Sequence, residues 1–280
     1  MPGLCQLSTA LGVCEIDAVL LSPQAPGLRL RLSEHEHARL GLLQLDCAVR
    51  GRFVLPDEVC LLVHVEQTGN KSWCHGQAFG QHSALLVRPR GISEFMLEAG
   101  SCLLFMVVHQ DKVRSLLAAD GTAAAGWDAC ATHFRIDDQT SPSSLLHLYR
   151  ALAGMFEATA EDAVAHRQDL LDEVIRTHVQ TAMSRHPQND MPKSSSQYRH
   201  YLILQRVEHF MRSHLRKDIY LQEMCQAGGA SERTLRNAFE HMVGVSPNRY
   251  LAMMRLCMAY RSLARADMSR QSVKSVALSF

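Results

Sequence analysis

Leu221-Gln-Glu-Met-Cys225-Gln-Ala-Gly-Gly229-Ala-Ser231-Glu-Arg-Thr-Leu235-Arg-Asn-Ala-Phe239 is the stretch on which the reading of this chain turns. Two helical patterns flank a glycine. Gly229 supplies a turn residue that tolerates positive φ, and Ser231 is placed to cap the next helix through its hydroxyl. A small residue at Cys225 lets two helices cross closely. Leu235, Ala238 and Phe239 share one face and point inward, locking the second helix in place. This spacing is the anatomy of a helix-turn-helix.

If 235, 238, 239 and 242 face inward, a rotation of about 100° per residue puts Glu232, Arg233, Arg236, Asn237 and Glu240 outward, next to the cap Ser231. Arginine can hold guanine O6 and N7 with two hydrogen bonds, and asparagine can do the same for adenine N6 and N7. Arg233, Arg236 and Asn237 are therefore the candidates for base contact. The bland alternative is a solvated charged face.

Downstream, Gly244-Val-Ser246-Pro247-Asn-Arg-Tyr-Leu251 joins an N-cap serine to a proline that needs no amide partner at the first helical position. It predicts a helix to about Ala264, with Tyr250, Leu251, Met254, Leu256, Met258, Ala259 and Leu263 as candidate buried positions. The methionines at 242, 253, 254 and 258 read as core fillers. Upstream, Tyr201 to Leu215 predicts a helix that ends near Arg216-Lys217, where the negative end of the helix dipole favours cations.

Charge divides the chain at the same place. The 280 residues have a net charge of +1, but the part before Tyr198 carries −6 and the 83 residues from Tyr198 carry +7. A basic module hidden in a balanced total points to a polyanionic partner. With 47% hydrophobic and 20% charged residues, the chain is not an intrinsically disordered one.

The N-terminal part is strand-like from Leu28 to about His109. Leu28, Leu30 and Leu32 alternate with Arg29, Arg31 and Ser33, and β-rich runs follow at Leu40–Leu45, Glu58–Val65, Ser83–Val87, Ile92–Leu97 and Cys102–Val108. Glycine-rich turns separate them, which suggests a sandwich or small barrel. After Gln110 the period lengthens to about 3.6, predicting helices at Asp111–Ala119, at Ser143–Phe156 opened by Ser141-Pro142, and at Ala160–Met183. On the last of these Val164, Leu171, Val174, Ile175, Val179 and Met183 form a stripe. Either it packs on the β-domain, or Leu171, Val174 and Ile175 make a dimerisation face. The polar, proline-broken run His186 to Ser196 reads as a linker. The expectation is an α+β chain: a β-barrel-like, cupin-like sensing and dimerisation domain over 1–185 (β-rich to about 109, helical 110–185), a linker at 186–197 and an all-α module at 198–280.

Nine cysteines include no Cys-x-x-Cys pair, and several sit in apolar runs, so a reducing cytosol is the expected location. No secretory leader and no run of about 18 apolar residues is found, which argues for a soluble chain without a membrane partner.

The C-terminal motifs taken in order resemble the DNA-binding domain of the AraC/XylS family of bacterial transcription regulators. They are Leu221 to Phe239, Gly244-x-Ser-Pro-x-x-Tyr-Leu, Arg255-Leu256 to Leu263, and Ser272-Val273-x-x-Val276-Ala277. The resemblance covers about 80 residues. It implies that Ser231–Phe239 is a first recognition helix and Asn248–Ala264 a connecting helix. The framework positions are then Leu221, Cys225, Gly229, Leu235, Phe239, Gly244, Pro247, Leu251, Val276 and Ala277. It further implies double-stranded DNA and a small-molecule effector as partners, a homodimer, RNA polymerase as a further candidate partner, and a β-rich N-terminal sensor. Cys225 departs from the family's usual alanine. Family members carry a second such motif, whose turn and second helix would lie beyond Phe280, so the resemblance implies a C-terminally truncated motif with poor order from about Ala266.

Two other functions compete. His35-Glu36-His37 has the His-x-His of a cupin metalloenzyme, but no glutamate follows at four or five residues and a set of His35, His37 and His82 has no ligand spacing. No nucleophile elbow or phosphate loop is present, so no enzyme, metal or cofactor is expected. A truncated interaction module acting by dimerisation is the other reading. The effector site is unassigned, with Trp73, His82, Arg88 and Phe95 as its expected neighbourhood.

Overall fold

Apolar residues come in unbroken runs in the longest strands because both faces of those strands are covered. In β10 (Cys102–His109), Leu103, Phe105 and Val107 face one core while Leu104, Met106 and Val108 face another. The protein is known here as a computed structural model, which describes residues 2–13, 16–22, 27–89, 91–119, 131–136, 144–156, 164–184 and 195–265.

Two antiparallel sheets face each other. One has six strands in the order β11 (Ala131–Arg135), β8 (Ser83–Val87), β5 (Val59–Gln67), β10, β3 (Ala38–Leu45) and β2 (Leu28–Glu34). The other has five: β1 (Asp17–Leu20), β4 (Val49–Val54), β9 (Ile92–Leu97), β6 (Trp73–Cys74) and β7 (Gln77–Ala78). The arrangement is therefore an open two-sheet sandwich rather than a closed barrel. The inner faces meet through Leu43, Leu61, Leu85, Phe105, Val49 and Phe53, and helix α1 (Pro2–Leu11) closes one side with Leu7 and Leu11.

Helices cover both outer faces. On the six-stranded sheet lie α2 (Gln110–Ala119), α3 (Leu145–Gly154) and α4 (Val164–Ser184), which bury Leu146, Tyr149, Leu152, Leu171, Val174 and Ile175 against Leu40, Leu62, Leu104 and Met106. Full burial of each such leucine or isoleucine contributes about 1.5–3 kcal/mol. The proposed dimer face on α4 is thus spent inside the chain: Leu171, Val174 and Ile175 are fully buried because the stripe packs on the β-domain. Helix α3 is capped by Ser144, whose hydroxyl accepts from the His147 amide, and the expected opening at Ser141-Pro142 lies outside the described residues.

On the five-stranded sheet rest α5 (Ser196–Ser213), α7 (Glu232–Val243) and α8 (Pro247–Arg265), and α6 (Leu221–Gly228) packs on α5 and α7. Helix α5 starts five residues before the expected Tyr201, because Ser195 accepts from the Tyr198 amide at 3.1 Å and caps it. The end of the expected linker is thus helical, and the rest of it, 186–194, lies outside the described residues, as do Val276, Ala277 and everything from Ala266. Along α8, Cys257 takes the buried position expected of Leu256, which stands 69% exposed. The cause is β1, which lies along α8 on the Cys257 side.

Candidate nucleic-acid interface

The turn between α6 and α7 is built as its residues dictate. Gly229 ends α6 at φ +60°, a left-handed cap that glycine adopts without penalty, and its amide donates to Cys225 and Gln226 carbonyls. Glu223 reaches back to the Tyr220 amide at 2.8 Å and closes the start of α6. Ser231 caps α7 through the Thr234 amide, and Gly244 ends α7 at φ +72°. Helix α6 comes close to α5 at Gly228, where a Cβ would come within 2.9 Å of a Val207 methyl, and Cys225 is half-buried.

Leu235, Ala238, Phe239, Met242 and Val243 are buried under α7, and Phe239 meets the Tyr250 ring edge-on at 5.5 Å. Ser231, Glu232, Arg233, Arg236, Asn237 and Glu240 are all exposed. The outward set is therefore assembled on one helix face as the spacing required. Arg236 pairs with Glu232 one turn earlier, at 3.0 and 2.7 Å, an exposed pair of small net value that holds the guanidinium along the helix. Leu221 is half-buried, Leu251 is buried, and Ser246 accepts from the Arg249 amide at the start of α8.

The floor under this module carries charges that sequence reasoning missed. Arg50 of β4 is fully buried. Its Nε and Nη2 donate to both carboxylate oxygens of Glu208 on α5 at 3.0 and 2.7 Å, and its Nη1 donates to the Gly51 and Phe95 carbonyls at 2.7 and 3.3 Å. Glu94 of β9 lies 3.3 Å from the same guanidinium and accepts from the Tyr201 hydroxyl and the Gln205 amide at 2.9 and 3.0 Å. Tyr250 of α8 donates to Glu208. Burial works against charge on Arg50 and Glu94, but each is held ionised by the other and, for Arg50, by Glu208. Burial and Glu208 together keep Tyr250 protonated.

A second anchor is Asp17 of β1, which takes Arg52 of its own sheet at 2.9 Å together with Arg212 of α5 and Arg261 of α8. Burial raises its pKa, but Arg212 and Arg261 outweigh that and bring it down to about 2. Arg261 also donates to the Ala18 carbonyl at 2.7 Å, and the Leu20 amide meets Cys257 Sγ at 3.5 Å, so α8 partners the edge strand. The Trp73 indole of β6 donates to the Met242 carbonyl in the last turn of α7 at 2.8 Å, and Arg50 stacks over that indole at 4.8 Å.

Between the two sheets is an apolar cavity of about 90 Å³, lined by side chains such as Leu43, Val49, Leu85, Phe95 and Phe105, with Leu4, Leu7 and Leu11 of α1 at its side. Of the four residues expected around an effector, Phe95 lines it. Trp73 faces the C-terminal module instead, because alternation along β6 sends Trp73 outward and Cys74 inward. His35 and His37 sit in the turn between β2 and β3, and among the described residues no group of three His, Cys, Asp or Glu side chains is placed to hold a metal ion. No disulfide forms among the seven described cysteines, and none of the described helices is long and apolar enough to cross a membrane.

The chain is similar to AraC-like regulators over nearly its whole length. The AraC-like transcriptional activator CuxR aligns over 93% of this chain and 91% of its own, with 15% identity and a TM-score of 0.46. ToxT from Vibrio cholerae strain SCE256, solved with an unsaturated fatty acid bound, aligns over 94% of this chain and 84% of its own, with 9% identity and a TM-score of 0.33. An oxalate decarboxylase variant from Bacillus subtilis aligns over only 36% of this chain and 38% of its own, with 10% identity and a TM-score of 0.15. At these identities the likeness is one of fold. No protein-family model matches the chain, and no curated protein matches it.

Proposed function

We propose that this protein is a sequence-specific DNA-binding transcription regulator that reads the major groove with α7 and responds to a small molecule held in its N-terminal sandwich. The observation that carries the reading is the combination at α6–α7: a left-handed glycine turn, a serine cap, a fully buried inner face, and Arg233, Arg236 and Asn237 exposed together on the outer one. The +7 charge of the module supplies the phosphate attraction such a helix needs. On DNA, Arg236 exchanges Glu232 for a base edge or a phosphate, so Glu232 tunes that contact.

The cavity sets the chemistry of the effector. Its lining is aliphatic and aromatic apart from the Cys74 thiol, so it suits a compact, uncharged apolar molecule. At about 90 Å³ it is smaller than the ~150 Å³ engineered cavity that takes benzene, so a larger effector must displace α1 or part the sheets. Selection from random duplex DNA with the full chain tests the reading. A recurrent motif whose affinity falls steeply with salt is the expected result, and recovery of no motif at low salt overturns it.

A further inference from the structure

A short loop of the sandwich reaches the end of α7. Thr68-Gly-Asn-Lys-Ser72 joins β5 to β6, and its hydroxyls are tied inward. Thr68 hydrogen-bonds with Ser72 at 2.6 Å and with Ser101 at 2.7 Å, and Ser72 accepts from the Glu98 amide at 3.0 Å. The Glu98 carboxylate in turn accepts from the Lys71 amide at 2.8 Å and lies over Gly69, where a Cβ would overlap it. Ser72 and Trp73 are buried, so the loop is anchored at its base, and of its five residues Asn70 and Lys71 stand exposed.

The base of this loop is fastened to α7 by the Trp73 indole, which holds the Met242 carbonyl. Lys71 is thereby brought to the outer side of the helix. Its Nζ lies 4.0 Å from Glu240 Oε1, and a Cβ on the terminal Gly244 would come within 3.9 Å of the same atom. Glu240 stands two turns along α7 from Arg233, on the same outward line, so the ammonium sits at the end of the face that carries Arg233, Arg236 and Asn237. Arg236 has its carboxylate partner, Glu232, on α7 itself, whereas the cation beside Glu240 comes from the other half of the chain. The two side chains of that contact are 48% and 65% exposed, so it locks nothing in place and leaves the ammonium free to take an anion.

We infer that Lys71 belongs to the DNA interface: the β5–β6 loop of the sandwich sets its ammonium on a backbone phosphate beside the groove that α7 enters, and Lys71 exchanges Glu240 for that phosphate. This rests on the DNA-reading function proposed above and adds to it a contact made from outside the C-terminal module. The chemistry decides what the contact does. A lysine ammonium is a compact point charge that takes a phosphate at any sequence, so Lys71 contributes affinity and register but no choice of base.

Binding of the full chain to the motif recovered from random duplexes, and to an unrelated duplex, is measured over a range of salt concentrations. In Lys71→Gln the log–log salt slope is expected to become shallower by about 0.9 on both duplexes, with affinity falling several-fold at low salt and the preference for the motif unchanged. Lys71→Arg is expected to restore the slope. The same loss is expected when Lys71→Gln is made in a Glu240→Gln background, because a lysine that only screens Glu240 has nothing to screen there. A slope that stays at the parent's value in Lys71→Gln, or an effect that vanishes in the Glu240→Gln background, overturns the inference and leaves DNA reading by α7 standing. Recovery of no motif at low salt overturns both.

Discussion

Both sheets are roofed by helices, and the two roofs are made of different chemistry. Over the six-stranded sheet, Leu40, Leu62, Leu104 and Met106 meet Leu146, Leu152, Val174 and Ile175, with few polar side chains between them. Over the five-stranded sheet, the guanidinium groups of Arg50, Arg212 and Arg261, three carboxylates and two tyrosine hydroxyls lie under the C-terminal helices beside the apolar Val19, Leu21, Trp73 and Met96. The first seam can exist only closed, since opening it puts a leucine surface in water at ~25 cal/mol per Å². The second combines an apolar patch with directional ionic contacts, so charge pairing as well as burial fixes its geometry.

The sharpest way to break this contrast is to exchange the chemistry. Arg50→Met should cost about 3–5 kcal/mol of docking, because it leaves Glu94 and Glu208 buried without the guanidinium they share, with Arg212 the remaining attraction on Glu208. Converting the whole cluster to apolar residues, as Arg50→Met with Glu94→Leu and Glu208→Leu, should recover that loss and reach or exceed the parent, measured by urea unfolding. A triple variant as weak as the single one would mean that the ionic seam is a stability element like its counterpart. In the apolar seam, Leu104→Ala should cost about 2–5 kcal/mol and lower the stability of the whole chain.

The apolar seam has its own polar exception. His64 and His178 are fully buried there, with Tyr149 stacked on the His64 ring at 4.5 Å and its hydroxyl 2.5 Å from His178 Nδ1. Burial lowers both histidines to about 3. A histidine whose folded pKa lies below its unfolded value near 6.5 takes its proton more easily when unfolded. Stability is therefore full above about pH 6.5 and is lost progressively toward pH 3. At pH 5 the expected loss is about 2 kcal/mol per histidine, readable as a falling thermal midpoint. His64→Gln combined with His178→Gln should reduce that slope, leaving the part supplied by His133, which burial also lowers to about 3; an unchanged slope would place the acid response elsewhere.

The smallest of these effects belongs to the turn. Ser231→Ala removes the cap on α7 and should cost about 1 kcal/mol, with Ser231→Asp restoring it. Thermal unfolding checks this, and a neutral Ser231→Ala would show that α7 is held by its buried face alone.

The sequence made the C-terminal half legible because its signals are local. Caps at Ser231 and Ser246 and glycines at 229 and 244 punctuate the chain within a few residues of the elements they bound. The exposed set on α7 followed from helical period alone. The five-stranded sheet was far less legible. Val49-Arg-Gly-Arg-Phe-Val54 does alternate, but nothing nearby in sequence shows that Glu208 and Asp17 neutralise Arg50 and Arg52. Strand β1 escaped notice for a related reason: its outer edge is completed by α8, more than 230 residues away. Cys257 in place of Leu256 and the burial of Leu171, Val174 and Ile175 show the same limit, since a stripe's period does not name the surface that meets it.

If α7 reads DNA, the motif recovered from random duplexes must lose its advantage when the outer face of that helix is stripped of its cations. Affinity for that motif and for an unrelated duplex is measured with the parent and with Arg233→Ala combined with Arg236→Ala. Each lost bidentate base contact is worth ~1–3 kcal/mol of discrimination, so the preference for the motif should fall by at least tenfold while the protein stays folded. An undiminished preference in the double variant would contradict it.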